Sequence, residues 1–143
     1  MAIVFQKFCA KLFLMDKIAA IKKFFPKNLR KKLPRGIVVK KISSRESRRL
    51  NLVYRGKNVP TNVLSFRYGP DYGEILICPA VAKKEAKISG NSQTFQMTWM
   101  IAHGMIHLSG LHHKKTQDAS ARFAGLEKKI LDKFLSPELR SKN

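Results

Sequence analysis

Short runs of mainly apolar and β-branched residues recur along the chain, and they are typical of β-strands. Residues 37–43 read IVVKKIS and predict one strand. Two further runs, NVLSFRY at 62–68 and GEILICP at 73–79, flank the turn GPDYG and predict an adjacent antiparallel pair. The run at 3–14 is compatible with an additional edge strand. Strands this short and few predict one small sheet.

Elsewhere the apolar spacing is helical, with residues three and four positions apart on one face. Five segments are predicted helices: 16–25, 43–55, 79–88, 93–108 and 116–135. Pro26 stops the first, either Ser43 or Ser44 can cap the second, and Gly110 is a natural end for the fourth.

Residues 26–36, PKNLRKKLPRG, predict a basic loop between the first helix and the first strand. No internal repeat, low-complexity tract or linker interrupts the chain. We therefore predict a single α+β domain over residues 1–143, in which a small mixed β-sheet is packed with about five helices.

The net charge of the chain indicates which class of partner it binds. The chain has 29 lysines and arginines against 9 acidic residues, a net charge of +20, and residues 17–57 hold 15 of the basic residues with one acidic residue, Glu46. Such a surface attracts polyanions, whose condensed counterions are released on binding. Nucleic acid is the predicted partner, and a merely solvated basic face is the alternative.

The remaining composition is that of a globular protein in a reducing compartment. Hydrophobic residues make up 44% of the chain, while Cys9 and Cys78 are too few and too distant for a disulfide framework, which predicts a cytoplasmic location. Charged residues interrupt the apolar N-terminal stretch and argue against a secretory signal or a membrane span. A basic amphipathic helix on a membrane surface is an alternative to a helix packed on its own domain.

All four histidines lie in the stretch HGMIHLSGLHH at 103–113. His103 and His107 are one helical turn apart, so both imidazoles can face a shared ion. Gly110 tolerates the left-handed conformation that ends a helix, which lets His113 approach the same ion from another direction. Three imidazole ligands leave a fourth tetrahedral position open, as in catalytic zinc sites.

Zinc is the predicted metal, one ion bound by His103, His107 and His113, although nickel, copper and iron also suit imidazole ligands. His112 is predicted to be a non-ligand, because adjacent residues rarely converge on one point. The alternative is that all four are ordinary histidines near a helix end. No small-molecule cofactor is predicted.

The spacing H-x-x-x-H-x-x-G-x-x-H is that of the metzincin zinc peptidases, with Gly104 in place of their catalytic glutamate. A metal ion alone can lower the pKa of a water to ~7, so this base is dispensable. Gly104 can also be a packing glycine that lets another segment pass close to the helix, and the two interpretations are compatible.

At these histidines the chain resembles the YbeY family of bacterial metal-dependent endoribonucleases, whose signature runs H-G-x-L-H-L-x-G-aromatic-D-H. Three other segments resemble the family in the same order: LNLVYRGKNVPTNVLSF, GEILIC and AGLEKKIL. The resemblance covers roughly residues 37–135 and leaves 1–36 as a divergent basic N-terminal part. Leu111, Ile106 and His112 depart from the signature, and His112 can replace the family's aspartate as an acceptor only in its neutral form.

The resemblance implies an α+β fold with a metzincin-like site in which His103, His107 and His113 bind zinc. It also implies single-strand-specific cleavage of RNA, with roles in maturing the 3′ end of the small-subunit ribosomal RNA and in ribosome quality control. Single-stranded RNA, ribosomal RNA and the ribosome are then the expected partners. The family's functionally important arginine falls on Arg55 in YRGK.

Phosphodiester cleavage requires positioning and cations around the developing negative charge. Arg55 offers a planar fork of donors to a phosphate, and Lys57 lies two residues away. Our hypothesis is that a metal-activated water or the RNA's own 2′-hydroxyl attacks the phosphorus while Arg55 clamps the phosphate. The alternative for Arg55 is a solvated or ion-paired side chain beside a helix end.

Two other functions compete: a metzincin-like peptidase, disfavoured by Gly104 and the positive charge, and a non-catalytic ribosome-associated RNA-binding module with a structural metal. A few further residues are weak candidates. Glu74 could line the site, and Ser65 and Thr61 fit better as polar groups of turns or strands. The remaining four are aromatic residues that can stack on unpaired bases but are more often core: Tyr54, Phe66, Tyr68 and Trp99.

Overall fold

A three-stranded mixed sheet forms one layer of the computed structural model, which describes residues 17–111 and 117–134. Its strands are β1 (Gly36–Lys41), β2 (Val63–Arg67) and β3 (Tyr72–Ile77). The central strand is β3, which pairs in parallel with β1 and antiparallel with β2. The predicted antiparallel pair is therefore confirmed. The edge strand considered at 3–14 lies outside the described residues.

Six helices lie in the described stretches of the chain. They are α1 (of which residues 17–22 are described), α2 (Lys27–Arg30), α3 (Ser44–Arg55), α4 (Pro79–Ser89), α5 (Gln93–Leu108) and α6 (Gln117–Phe134). The four longest agree with their predicted bounds to within one residue. Ser43 is the cap of α3, because its Oγ accepts a hydrogen bond from the Glu46 amide at 3.1 Å.

The prediction of a continuous loop at 26–36 is wrong, since α2 forms one helical turn there. Pro26 precedes that turn with φ −55°, a value preset for entering a helix. Leu29 is buried within the turn, and the Arg30 guanidinium donates to the carbonyl of Phe25 at 3.0 Å. The burial of Leu29 and the hydrogen bond of Arg30 stabilise this helical turn, which the local sequence does not predict.

Helix α5 packs against β2 and β3 on one side and against α4 and α6 on others. Its residues Met100, Ile101, Met105 and Ile106 are at most 1% exposed. A helix that is apolar around most of its circumference belongs inside a core, and α5 occupies that place. The α+β fold is thus confirmed, and the histidine-bearing helix is a rigid element of it. No helix of the described residues is long and apolar enough to cross a membrane.

Candidate metal site and its cationic groove

An open groove of about 670 Å³ runs between the C-terminal end of α5 and the strand β2. Its lining residues are Arg55, Lys57, Asn62, Val63, Ser65, Arg67, His103, His107, Leu108 and Gly110. Two imidazoles of α5 therefore line the groove together with three cationic side chains, which come from α3, the segment after it and β2. The sequence-predicted candidates His103, His107 and Arg55 are brought to one cavity although they belong to different elements.

The two histidines of α5 share one face of the helix, as their spacing predicted. The ring centroids of His103 and His107 are 4.9 Å apart. Phe123 of α6, which is 3% exposed, packs against both rings with centroid distances of 4.9 Å. The aromatic side chain restricts the orientation of both imidazoles before any ion binds.

Glu127 of α6 holds the inner nitrogen of one of these rings. Its Oε2 lies 2.7 Å from His103 Nδ1, and both side chains are largely buried, at 17% and 24% exposure. A carboxylate on Nδ1 directs the proton to that nitrogen and leaves Nε2 with its lone pair for a metal. The sequence reasoning assigned no role to Glu127, although a glutamate within the apolar stripe of Phe123, Leu126 and Ile130 was a usable signal.

The chain turns away from α5 just after the second histidine. Ser109 caps the helix, and Gly110 follows with φ +92°, the conformation expected of it. His112 and His113 lie outside the described residues, so the third ligand stays a prediction. Within residues 17–111 and 117–134, no group of three histidine, cysteine or acidic side chains is arranged to hold a metal ion.

Gly104 is where helix and sheet come closest. A Cβ there would lie 2.8 Å from Ile75 Cγ2 and 3.0 Å from Ser65 Oγ. The Ser65 hydroxyl also donates to the Gly104 carbonyl at 3.3 Å. The packing interpretation of this glycine is confirmed, and the same contacts leave no room on α5 for the glutamate that a metzincin carries.

Arg55 is the last residue of α3, and the left-handed Gly56 (φ +70°) then turns the chain along the groove rim. Partial burial of the guanidinium lowers the pKa of Arg55, because desolvation disfavours its charge. Within the described part of the chain, no group accepts a hydrogen bond or forms an ion pair with it. A cation with no partner among the described residues is available to an incoming anion.

Arg67, at the end of β2, is a groove residue that the sequence reasoning missed. Its Nη1 donates to the carbonyl of Leu108 at 2.6 Å and to the carbonyl of Lys32. Because Leu108 ends α5, the bond ties β2 to the terminus that carries the histidines and places a cation at the helix's negative end. No periodicity distinguishes this arginine from the many others in so basic a chain.

The side chain of Asn62, which also lines the groove, is held in place by hydrogen bonds. The Asn62 Nδ2 donates to both carboxylate oxygens of Glu85, at 2.9 and 3.2 Å, and Gln96 donates to the same carboxylate at 3.2 Å. With its nitrogen so engaged, the Asn62 side-chain oxygen Oδ1 is left as the acceptor available to a ligand.

Of the three weaker polar candidates, one lines the groove and two do not. Ser65 lines the groove, whereas Thr61 is paired through its backbone with the Ser47 hydroxyl. Glu74 does not line the groove; it accepts hydrogen bonds from Tyr72 at 2.7 Å and Lys40 at 3.2 Å, which lower the pKa of its carboxyl. Glu74 is paired with Phe66, which lies between the groove-lining residues Ser65 and Arg67 on β2. Because successive side chains of a strand point to opposite faces, Glu74 lies on the sheet face away from the groove.

Comparison with known proteins gives consistent matches. The family model described as "Endoribonuclease YbeY" matches residues 9–135. Proteins named endoribonuclease YbeY are 36% identical over 107 residues in Alkalilimnicola ehrlichii (68% of this chain, 64% of the relative) and 35% identical over 106 residues in Burkholderia lata (71% and 62%). A relative in Pseudoalteromonas translucida is 40% identical over 93 residues, covering 60% of each chain. The chain thus spans less than two thirds of the length of these relatives.

Among solved structures, the solution structure of TM1509 from Thermotoga maritima is similar, with a TM-score of 0.52 and 21% sequence identity. The match covers 84% of this chain and 85% of that one. At this identity the similarity concerns the fold, and it agrees with the α+β arrangement described above.

Proposed function

Because the chain belongs to the endoribonuclease YbeY family, we propose that it is a metal-dependent endoribonuclease that cuts single-stranded RNA. The observation that carries the proposal is the groove, which two imidazoles of one helix line together with the cationic side chains of Arg55, Lys57 and Arg67. A phosphodiester bears one negative charge per nucleotide, and a groove with several cations and few acidic groups fits that substrate.

The proposal includes a zinc ion held by His103, His107 and His113. The donor set of the described residues supports it, because Glu127 occupies Nδ1 of His103 and leaves Nε2 as a ligand atom. When bound, zinc supplies a water of lowered pKa, about 7, and an electrophile for a phosphoryl oxygen. Nickel and other transition metals remain alternatives that metal analysis of the purified protein separates.

The chain's own residues bind and orient the substrate. Arg55, which has no partner among the described residues, donates to the non-bridging oxygens of the phosphate. Arg67, whose Nη1 donates to the carbonyls of Leu108 and Lys32, offers its remaining guanidinium N–H groups to the same RNA strand. Lys57 adds a third positive charge, so that negative charge developing in the transition state meets fixed cations.

The attacking group is either water or the RNA's 2′-hydroxyl, and the ends of the cut RNA distinguish them. A 2′,3′-cyclic phosphate identifies the 2′-hydroxyl route, since only that attack closes the ring. A linear phosphate with no cyclic precursor identifies water.

The cellular role we propose is maturation of ribosomal RNA at the small-subunit 3′ end and quality control of ribosomes, with the ribosome as partner and the cytoplasm as location. The family supports this role. Depletion of the protein in its host, followed by mapping of small-subunit 3′ ends, tests it. Mature ends at normal abundance after depletion would contradict it.

A direct assay separates this function from the two alternatives. Unstructured RNA and casein are each incubated with the protein, with and without a chelator. We expect chelator-sensitive cleavage of RNA and intact casein, because the contacts of Ile75 and Ser65 at Gly104 exclude a peptidase base from α5. Cleaved casein with intact RNA would favour the peptidase, and binding of RNA without any cleavage would favour the non-catalytic module.

A further inference from the structure

Two aromatic pairs lie next to the groove residues in the chain, and each includes a largely exposed tyrosine. Tyr54 meets Phe66 edge-to-face, with ring centroids 4.9 Å apart and planes at 62°. Tyr68 stacks on Tyr72 with centroids 5.6 Å apart and planes at 26°. Tyr54 is 64% exposed and Tyr68 is 63% exposed. Aromatic surface of this kind is usually buried, so its exposure on two neighbouring elements requires an explanation.

Strand β2 separates these rings from the groove. Arg67 lines the groove, and successive side chains of a strand point to opposite faces. Phe66 before it and Tyr68 after it therefore face away from the groove, on the other side of the edge strand. On α3, Tyr54 directly precedes Arg55. Each exposed tyrosine is thus the chain neighbour of an arginine that lines the groove.

One of the four rings is fixed by hydrogen bonds. The Tyr72 hydroxyl donates to Glu74 Oε1 at 2.7 Å, and Lys40 donates to the same oxygen at 3.2 Å. Tyr72 consequently forms a preformed support beneath Tyr68. A support that is ordered in advance reduces the entropy lost when another ring stacks on the pair.

We propose that Tyr54, Phe66, Tyr68 and Tyr72, here named the aromatic platform, stack on unpaired bases of the RNA strand whose phosphate lies in the groove. The inference rests on the proposed function and deepens it. In a duplex the bases are paired and stacked on one another, so only a single strand can offer them to the platform. The platform would therefore supply the single-strand preference, because cations alone bind any polyanion.

The charge of the chain and the position of the exposed rings favour nucleic acid over a protein as the partner that contacts the aromatic platform. The chain carries a net charge of +20, and the exposed rings adjoin Arg55 and Arg67 along the chain. Aromatic rings beside a cationic path are the composition with which proteins hold single strands without reading their sequence.

The test compares a labelled oligouridine with a strand of equal length in which abasic riboses replace several nucleotides. Binding is measured at 4 °C, and gels verify that the strands remain intact. We expect Tyr68→Leu and Tyr54→Leu each to weaken binding of oligouridine by about 5- to 150-fold. The same variants should bind the abasic strand as the wild type does, because no base remains to stack.

Two controls separate stacking from structure. Tyr68→Phe keeps the ring and should bind like the wild type, and Ile88→Ala removes an apolar side chain that is 87% exposed on α4 and should change nothing. Thermal melting of every variant shows whether the fold survives. The double variant Tyr54→Leu/Tyr68→Leu should also lose most of the preference for single-stranded over duplex RNA.

The inference is overturned if the tyrosine variants bind oligouridine like the wild type, or if they lose affinity equally for the abasic strand. Loss of binding to a ribosomal protein with RNA binding intact would identify a protein-docking surface and overturn it as well. If the wild type neither binds nor cuts RNA, the proposed function itself fails. If the wild type cuts RNA but the aromatic platform makes no contribution to binding, only the present inference fails.

Discussion

The two walls of the groove are built in opposite ways. On the α5 wall, His103 and His107 are packed against the buried Phe123, and Glu127 holds one ring by hydrogen bond. On the opposite wall, Arg55 ends a surface helix, has no partner among the described residues, and is followed by the exposed rim of residues 56–60. One wall is rigid before any ligand arrives, and the other is open.

The difference matches the ligands that we propose for the two walls, a metal ion and an RNA strand. A metal ion requires ligand atoms at set distances and angles, which only side chains with locked rotamers supply. A flexible RNA strand requires positive charge and adaptable donors, whose contribution depends on salt more than on geometry. We therefore expect substitutions on the α5 wall to change metal binding or stability, and substitutions on the cationic wall to change RNA binding with the fold intact.

The largest effect should come from His107→Ala on the α5 wall. We expect cleavage of unstructured RNA to fall to the level of a no-enzyme control, and bound zinc to fall well below the content of about one ion per chain that we propose for the wild type. Metal analysis and gel assays measure the two quantities on the same sample. RNA affinity should persist, because the cations of the other wall are untouched, and an unfolded variant would assign the metal a structural role as well. Full activity in this variant would refute the metal site.

Arg55→Ala tests the cationic wall. We expect cleavage to fall by about 10²- to 10³-fold, since a preorganised donor to the transition-state charge is lost. The log–log slope of RNA affinity against salt should become shallower by ~0.7, the value for one phosphate on a single strand. Arg35→Ala is the matched control, because the Arg35 side chain is 88% exposed and its ion pair among the described residues is with the exposed Asp71. A fall in melting temperature or zinc content for Arg55→Ala would break the distinction between the walls.

Glu127→Ala removes the carboxylate that contacts His103, one of the proposed metal ligands. We expect zinc affinity to weaken by about 10- to 100-fold, the usual cost of removing a partner of a metal-binding histidine. Competition with a chromophoric chelator measures the affinity independently of cleavage. Glu46→Ala provides the control, because that glutamate sits on α3 and pairs with Arg49 at the surface. Equal zinc affinities for both variants would mean that Glu127 does not orient His103.

Gly104→Ala should have the smallest effect, on stability. A Cβ at this position meets Ile75 Cγ2 at 2.8 Å, and such overpacking costs about 1–3 kcal/mol of the free energy of unfolding. Gly125→Ala is a helical control with open space around its Cβ, and it should stabilise the protein by up to ~1 kcal/mol. Urea unfolding of both variants gives the comparison. Similar changes in both would show that α5 does not need its close approach to the sheet.

Prediction from the sequence succeeded best where one element decides the outcome. The bounds 93–108 of α5 were predicted correctly, as were its histidine pair and the turn at Gly110, because all three depend on local periodicity and backbone preference. The prediction failed at residues 26–36, where the burial of Leu29 favours a helical turn that the prolines and lysines obscure. It also favoured a core position for Tyr54 and Tyr68, which is wrong, since the structure exposes both.

The amino-acid sequence by itself determined that His103 and His107 share one face of a helix, that positive charge is in excess, and to which family the chain belongs. Only the tertiary structure decided that Glu127 reaches His103 from another helix, that Arg67 reaches the end of α5, and that Ile75 closes the space at Gly104. Spacing within a helix or strand fixes directions because the backbone repeat is regular. Contacts between elements result from the packing of many side chains at once, so no short stretch of sequence is enough to predict them.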